Sequence, residues 1–164
     1  MGLTSSEASF TFRLNGSTVT VRAPPAETLL RVLRERLGVR SVKPGCETGE
    51  CGACTVLLDG APVTSCTVLI SQVEGRDVVT LEGLSGDPLM RYLQDAFVEE
   101  GAVQCGYCTP GFLVTAYAFA RDSRPSGTRP SDDEIAEAIS GNICRCGAYP
   151  RIVAAVRRAL EVAT

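Results

Sequence analysis

The chain has 164 residues, enough for one ordinary domain or two small ones, and 45% of them are hydrophobic, enough to bury a core. Its formal charge of −3 is spread along the chain without a basic block, which excludes the electrostatic footprint expected of a nucleic-acid or anionic-membrane partner. Eight cysteines and no histidine stand out, because a reducing compartment leaves metal binding or redox chemistry as the main reason to collect thiols.

The opening segment, MGLTSSEASF, has no apolar h-region, twin arginine or cleavage-site pattern, and nowhere do about eighteen apolar residues run together. A cytoplasmic protein without membrane insertion is the expectation. The same absence of a secretion signal, with a core larger than stapled mini-proteins need, argues against reading the cysteines as four disulfides.

Residues 9–14, SFTFRL, alternate with Phe10, Phe12 and Leu14 on one face, and Asn15-Gly16 turns the chain into Val19 and Val21, which predicts a β-hairpin. From Glu27 to Leu37 the apolar set Leu29, Leu30, Val32, Leu33 and Leu37 lines one helical face, with Gly38 placed to end the helix. A glycine-rich loop at 45–53 leads to strands at 54–58, 62–70 and 77–81, the first two joined by Asp59-Gly60. The order strand, strand, helix, strands is an α+β arrangement of the β-grasp, plant-type ferredoxin-like kind.

Gly83 to Pro88 reads as a linker, beyond which the hydrophobic period changes from two to about 3.6 residues. Helices are expected at 88–100, 110–121, 132–140 and 150–162, making an all-α bundle. Pro110 and Pro150 fit the first helical position, Thr109 an N-cap, and Ser131 with Glu134 a capping box. The polar, proline-rich stretch 121–130 reads as an exposed loop, and the two proline-started helices hint at local pseudo-symmetry. The expected domains are 1–83 and 84–164.

The cysteines divide between them. Cys46, Cys51 and Cys54 form C-x4-C-x2-C in the glycine-rich loop, and Cys66 follows on the second strand of the next hairpin. This is the ligand spacing of plant-type 2Fe-2S sites, and Gly45, Gly49, Gly52 and Ala53 leave room for backbone N–H groups to reach sulfur. A zinc knuckle would pair two close C-x2-C hooks instead. In the second half, Cys105 and Cys108 form C-x2-C and Cys144 and Cys146 form C-x-C, each pair just before a predicted helix, where unpaired N–H groups favour thiolate. A thioredoxin-type dithiol would leave the C-x-C unused; zinc remains an alternative for this set, since only sulfur ligands are present.

Taken together, CETGECGACTVLLDG with Cys66, and QCGYCTPGF with GNICRCGAYPRI, resemble the small iron-sulfur subunit of the molybdenum hydroxylases, the xanthine dehydrogenase, aldehyde oxidoreductase and carbon monoxide dehydrogenase family. The resemblance runs over roughly residues 9–162 and meets all eight cysteine positions. It implies two 2Fe-2S clusters, a large partner subunit holding a molybdopterin-type molybdenum cofactor, a medium partner subunit holding FAD, and assembly as a dimer of heterotrimers. It further implies that Gln104 and Cys146 approach the pterin, that the ferredoxin-like domain's cluster faces the flavin, and that no substrate site or catalytic residue lies on this chain. The implied function is electron transfer within an oxidoreductase.

Overall fold

The structure, a computed structural model, describes residues 6–123 and 129–162. Strands β1 (Ala8–Leu14) and β2 (Ser17–Ala23) form the expected hairpin, paired from Ala8↔Ala23 to Leu14↔Ser17. Asn15 and Gly16 both take positive φ, 52° and 83°, the pair of left-handed residues whose twist matches a two-residue hairpin. Alternation then places Phe10 and Phe12 on the buried face. Helix α1 (Leu29–Arg31) starts on Thr28, whose hydroxyl accepts the Arg31 N–H, and continues as a π-helical turn, Val32–Arg36. It buries Leu29, Leu30, Val32 and Leu33 against the sheet.

Strands β3 (Thr55–Leu58), β4 (Ala61–Thr64) and β5 (Asp77–Val79) complete a mixed sheet in the order β2-β1-β5-β3-β4, with β1 and β5 parallel and the other neighbours antiparallel. Asp59-Gly60, at φ 49° and 84°, repeats the hairpin device of Asn15-Gly16. The other α-helices among the described residues are α2 (Leu81–Leu84), α3 (Pro88–Glu99), α4 (Thr109–Ser123), α5 (Asp132–Ala138) and α6 (Tyr149–Val162). The fold is α+β. Helix α3 packs on α4 and α6, α5 packs on α6, and α4 also lies against β3.

Two apolar cores result, and β3 serves both. Val56 and Leu58 enter the core beneath α1 with Phe12 and Ile70, whereas Leu57, on the opposite face, enters the helical core with Phe112, Leu93 and Ile152. That is why every residue of TVLL is buried, Val56, Leu57 and Leu58 as an apolar run and Thr55 with its hydroxyl on the Gly52 carbonyl.

Four local expectations need correction. The strand expected over 62–70 ends at Thr64, because Ser65 N–H and Oγ both donate to the Cys54 carbonyl and Thr67 N–H and Oγ1 both donate to the Thr64 carbonyl. The Thr67 bonds close a turn on Thr64 and the Ser65 bonds anchor that turn to Cys54, so Cys66 sits in a turn after β4 rather than on a strand. The expected 83–88 linker begins inside a helical turn, α2, whose Gly83 packs against Asn15. Pro110 and Pro150 stand one place deeper than expected: Phe112 N–H bonds the Cys108 carbonyl and Ile152 N–H the Ala148 carbonyl, which makes Cys108, rather than Thr109, and Ala148 the caps. Of the 121–130 loop, residues 121–123 are helical and 124–128 lie outside the described residues.

The capping box on α5 is present, with Glu134 N–H donating to Ser131 Oγ and Ser131 N–H to the Glu134 carboxylate. Ser131→Ala should therefore lower stability by about 1 kcal/mol, read as a reduced denaturation midpoint. An unchanged midpoint would mean that α5 is held by packing alone.

Candidate metal centres

The first cysteine loop is held by its base and its approach. Lys43 N–H donates to the Ala53 carbonyl (3.1 Å), Arg34 donates to the Val42 carbonyl (2.7 Å), and the Glu82 carboxylate accepts the N–H groups of Arg40 and Ser41. Within the loop, N–H groups turn inward toward sulfur. Cys46 N–H donates to Cys51 Sγ (3.3 Å), while Thr48 N–H and Cys51 N–H both donate to Cys46 Sγ (3.4 Å each). Gly45 is required by space, since a Cβ there would meet Cys51 Sγ at 2.6 Å.

The electrostatics of this set are split. Hydrogen bonds from Thr48, with smaller help from Cys51 N–H, hold the Cys46 thiol down to about 6. Burial, and then the neighbouring Cys54 thiol, push Cys66 up to about 12. Cys54 and Cys66 are both buried, and Cys46 contributes to the field at Cys66, so the structure brings the two pairs of the set together. Four buried or half-buried thiols crowded this way can ionise together only beside strong positive charge, which bound metal supplies.

The second set is assembled from two helix approaches. Cys108 caps α4, and the Cys144–Cys146 segment leads into α6. Tyr107 N–H and then the Cys146 thiol lower Cys105, placing those two side by side. Burial and then the Cys144 thiol raise Cys108. Burial also acts to raise Cys144, but Ala148 N–H, the Cys108 thiol and the N–H groups of Cys146 and Gly147 outweigh it and leave it lowered. N–H groups from the turns leading into the helices thus lower Cys105 and Cys144, whereas Cys108, at the start of α4, is raised, against the expectation that a helix N-terminus lowers each pair. Cys105 and Cys146 are exposed, as is Gln104, whereas Cys144 is buried.

No cysteine is in a disulfide. The thiols meet pairwise, and among the described residues no three His, Cys, Asp or Glu side chains are gathered as a single ion would require. A diiron rhomb bridged by sulfide takes two thiolates per iron, so a pairwise donor set of eight thiols fits two such groups.

Two members of each set, Cys46 and Cys51 with Cys105 and Cys108, meet at an apolar cleft of about 160 Å³ that Gly45, Tyr107 and Ile143 also line. Ile143 N–H donates to the Cys51 carbonyl (3.0 Å), Asn142 Nδ2 to the Gly52 carbonyl (3.0 Å), and the Tyr107 hydroxyl to the Pro44 carbonyl. Tyr149 Oη accepts the Cys144 N–H (2.8 Å). Thr48, Tyr107, Asn142 and Tyr149 are the site residues that sequence reasoning did not single out. Their only signal was nearness to cysteine, since Tyr107, Asn142 and Tyr149 work through a backbone group elsewhere in the chain and Thr48 through its own N–H on Cys46 Sγ.

Comparison with known proteins bears directly on these sets. A model of the 2Fe-2S iron-sulfur cluster binding domain matches residues 12–85, and a model of the [2Fe-2S] binding domain matches residues 80–157. The small FeS subunit of nicotinate dehydrogenase from Eubacterium barkeri is 50% identical over 148 residues, covering 90% of this chain and 92% of that one. The chain belongs to the iron-sulfur subunit family of the molybdenum hydroxylases. As an iron-sulfur subunit of this family it is part of an oxidoreductase. Quinoline 2-oxidoreductase from Pseudomonas putida 86 contains a chain of the same fold, with TM-score 0.88 and 40% identity over 97% of both chains. Aldehyde oxidoreductase from Desulfovibrio desulfuricans matches with TM-score 0.85 and 38% identity over 94% of this chain but 17% of its own, so the subunit corresponds to a small part of that longer polypeptide. Among the described residues no helix is long and apolar enough to cross a membrane.

Proposed function

We propose that this chain is the electron-transfer subunit of a cytoplasmic molybdenum hydroxylase, passing single electrons from a molybdopterin site on a large partner subunit to FAD on a medium one. The observation that carries this reading is the pair of four-cysteine sets, each contributing two members to a single cleft. Cys46, Cys51, Cys54 and Cys66 would hold one 2Fe-2S cluster, and Cys105, Cys108, Cys144 and Cys146 the other. Each cluster, when bound, takes up and returns one electron. The chain's part is to supply thiolates, to aim N–H groups such as those of Thr48 and Cys51 at sulfur, and to keep both sites at a fixed spacing.

On this reading residues 1–83 form a β-grasp ferredoxin-like domain and 84–164 a helical-bundle domain. Exposure of Cys105, Cys146 and Gln104 supports an outward face for the second set, with Gln104 and Cys146 turned toward the pterin and the first set toward the flavin. The complex would be a dimer of heterotrimers, with neither nucleic acid nor membrane insertion involved, and substrate choice would rest with the large subunit.

Anaerobic purification with the natural partners tests the reading. Red-brown protein with matched iron and acid-labile sulfide is the expected result. Colourless protein containing zinc and no labile sulfide would overturn it.

A further inference from the structure

Between the two cysteine sets the chain makes side-chain contacts that neither set needs for its own loop. Asn142 is 3% exposed, a buried amide in a turn, and its Nδ2 donates to the Gly52 carbonyl 90 positions earlier. That carbonyl is already served locally, by Thr55 N–H (3.1 Å) and Thr55 Oγ1 (2.7 Å). The amide therefore adds nothing the first loop requires to stay closed; what it adds is attachment of that loop to the segment carrying Cys144. The fit there has no slack, since a Cβ on Gly52 would collide with Asn142 and with the Gly141 carbonyl. Across the cleft the Tyr107 hydroxyl donates to the Pro44 carbonyl, tying the turn between Cys105 and Cys108 to the approach to Cys46.

We propose that Asn142 and Tyr107 are positioning residues that set the separation and relative orientation of the two cluster sites. This rests on the function proposed above. Tyr107 lines the cleft with Cys46, Cys51, Cys105 and Cys108, while Asn142 holds Gly52 beside the Ile143 N–H bond to the Cys51 carbonyl, so the two side chains attach the first loop at separate points. Both act through a main-chain carbonyl of the first loop. Neither side chain bonds a sulfur, and the Tyr107 N–H that reaches Cys105 is kept in Tyr107→Phe, which separates spacing from thiolate chemistry.

Asn142→Asp places a carboxylate oxygen against the Gly52 carbonyl and turns the attraction into repulsion. Tyr107→Phe removes the other latch with little change in shape. Magnetic coupling between two reduced clusters falls with the inverse cube of their distance and depends on orientation, so it reads geometry rather than cluster content. In the dithionite-reduced holo complex the double variant should retain both individual electron paramagnetic resonance signals and the iron and sulfide content, yet lose or markedly alter the inter-cluster splitting. Should Asn142→Asp fail to load, Asn142→Ala is the substitute, because Thr55 keeps the Gly52 carbonyl satisfied. Wild-type splitting in a variant carrying both clusters would overturn the proposal; absence of clusters from the wild-type complex would instead overturn the function on which it rests.

Discussion

Cys146→Ser is expected to cost the chain about half of its iron and labile sulfide and to abolish electron flow, while the resonance signal of the first cluster persists. Serine's hydroxyl does not ionise near neutral pH, so the substitution leaves Cys105, Cys108 and Cys144 with three thiolates for a site that needs four. Changes that merely disturb a ligand's hydrogen bonds cost about 10–100-fold, and loss of the ligand itself should exceed that range in turnover. The first set should be spared for a structural reason. Its sulfur contacts, from Cys46, Thr48 and Cys51, are made within one loop, and Cys54 and Cys66 are buried in the core beneath α1 rather than in the helical core. Iron analysis and spectra of the reduced variant decide the matter. Loss of both signals would mean that the sites load cooperatively, and retention of both would remove Cys146 from the ligand set.

Much of this arrangement is legible from residues close together in the chain. Asn15-Gly16 and Asp59-Gly60 announce hairpins because few other pairs accept two positive φ angles, and Ser131 with Glu134 announces α5 because a capping box needs no tertiary partner. The cysteine spacings are legible for the same reason: three thiols on one curled loop must sit close together whatever the rest of the chain does. The missed features depend on distant partners. The strand after Asp59-Gly60 stops at Thr64 because Ser65 finds the Cys54 carbonyl eleven residues back, and Gly83 lies in a helical turn packed against Asn15. Asn142 is the clearest case. Nothing in GNIC distinguishes a buried latch from a solvated loop amide until Gly52 is brought beside it. Leu57 is similar, since the run TVLL shows that β3 is covered on both faces but not that α4 supplies the second cover.

The second large effect is expected at Gly111, in the first turn of α4, where local propensity and tertiary packing disagree. By helix propensity alone Gly111→Ala should stabilise by about 1 kcal/mol. The added Cβ, however, would collide with the Gly52 carbonyl and come within 3.1 Å of Asn142 Nδ2 and 3.2 Å of Ala53 Cα. The colliding carbonyl cannot swing aside, because two donors from Thr55 and one from Asn142 hold it. Overpacking costs about 1–3 kcal/mol, and contact with immobile backbone belongs at the upper end. The clash therefore wins, with a net loss of about 2 kcal/mol, or roughly 4–8 °C in melting temperature for a chain of this size. Gly141→Ala is the matched control: it lies beside Asn142, has no positive φ, and its Cβ would meet nothing within 4 Å. It should change stability by less than about 0.5 kcal/mol. If Gly111→Ala melted higher than the wild type while Gly141→Ala stayed neutral, α4 could not start hard against the first cysteine loop, and the two halves would be joined less tightly than β3, Asn142 and Tyr107 require.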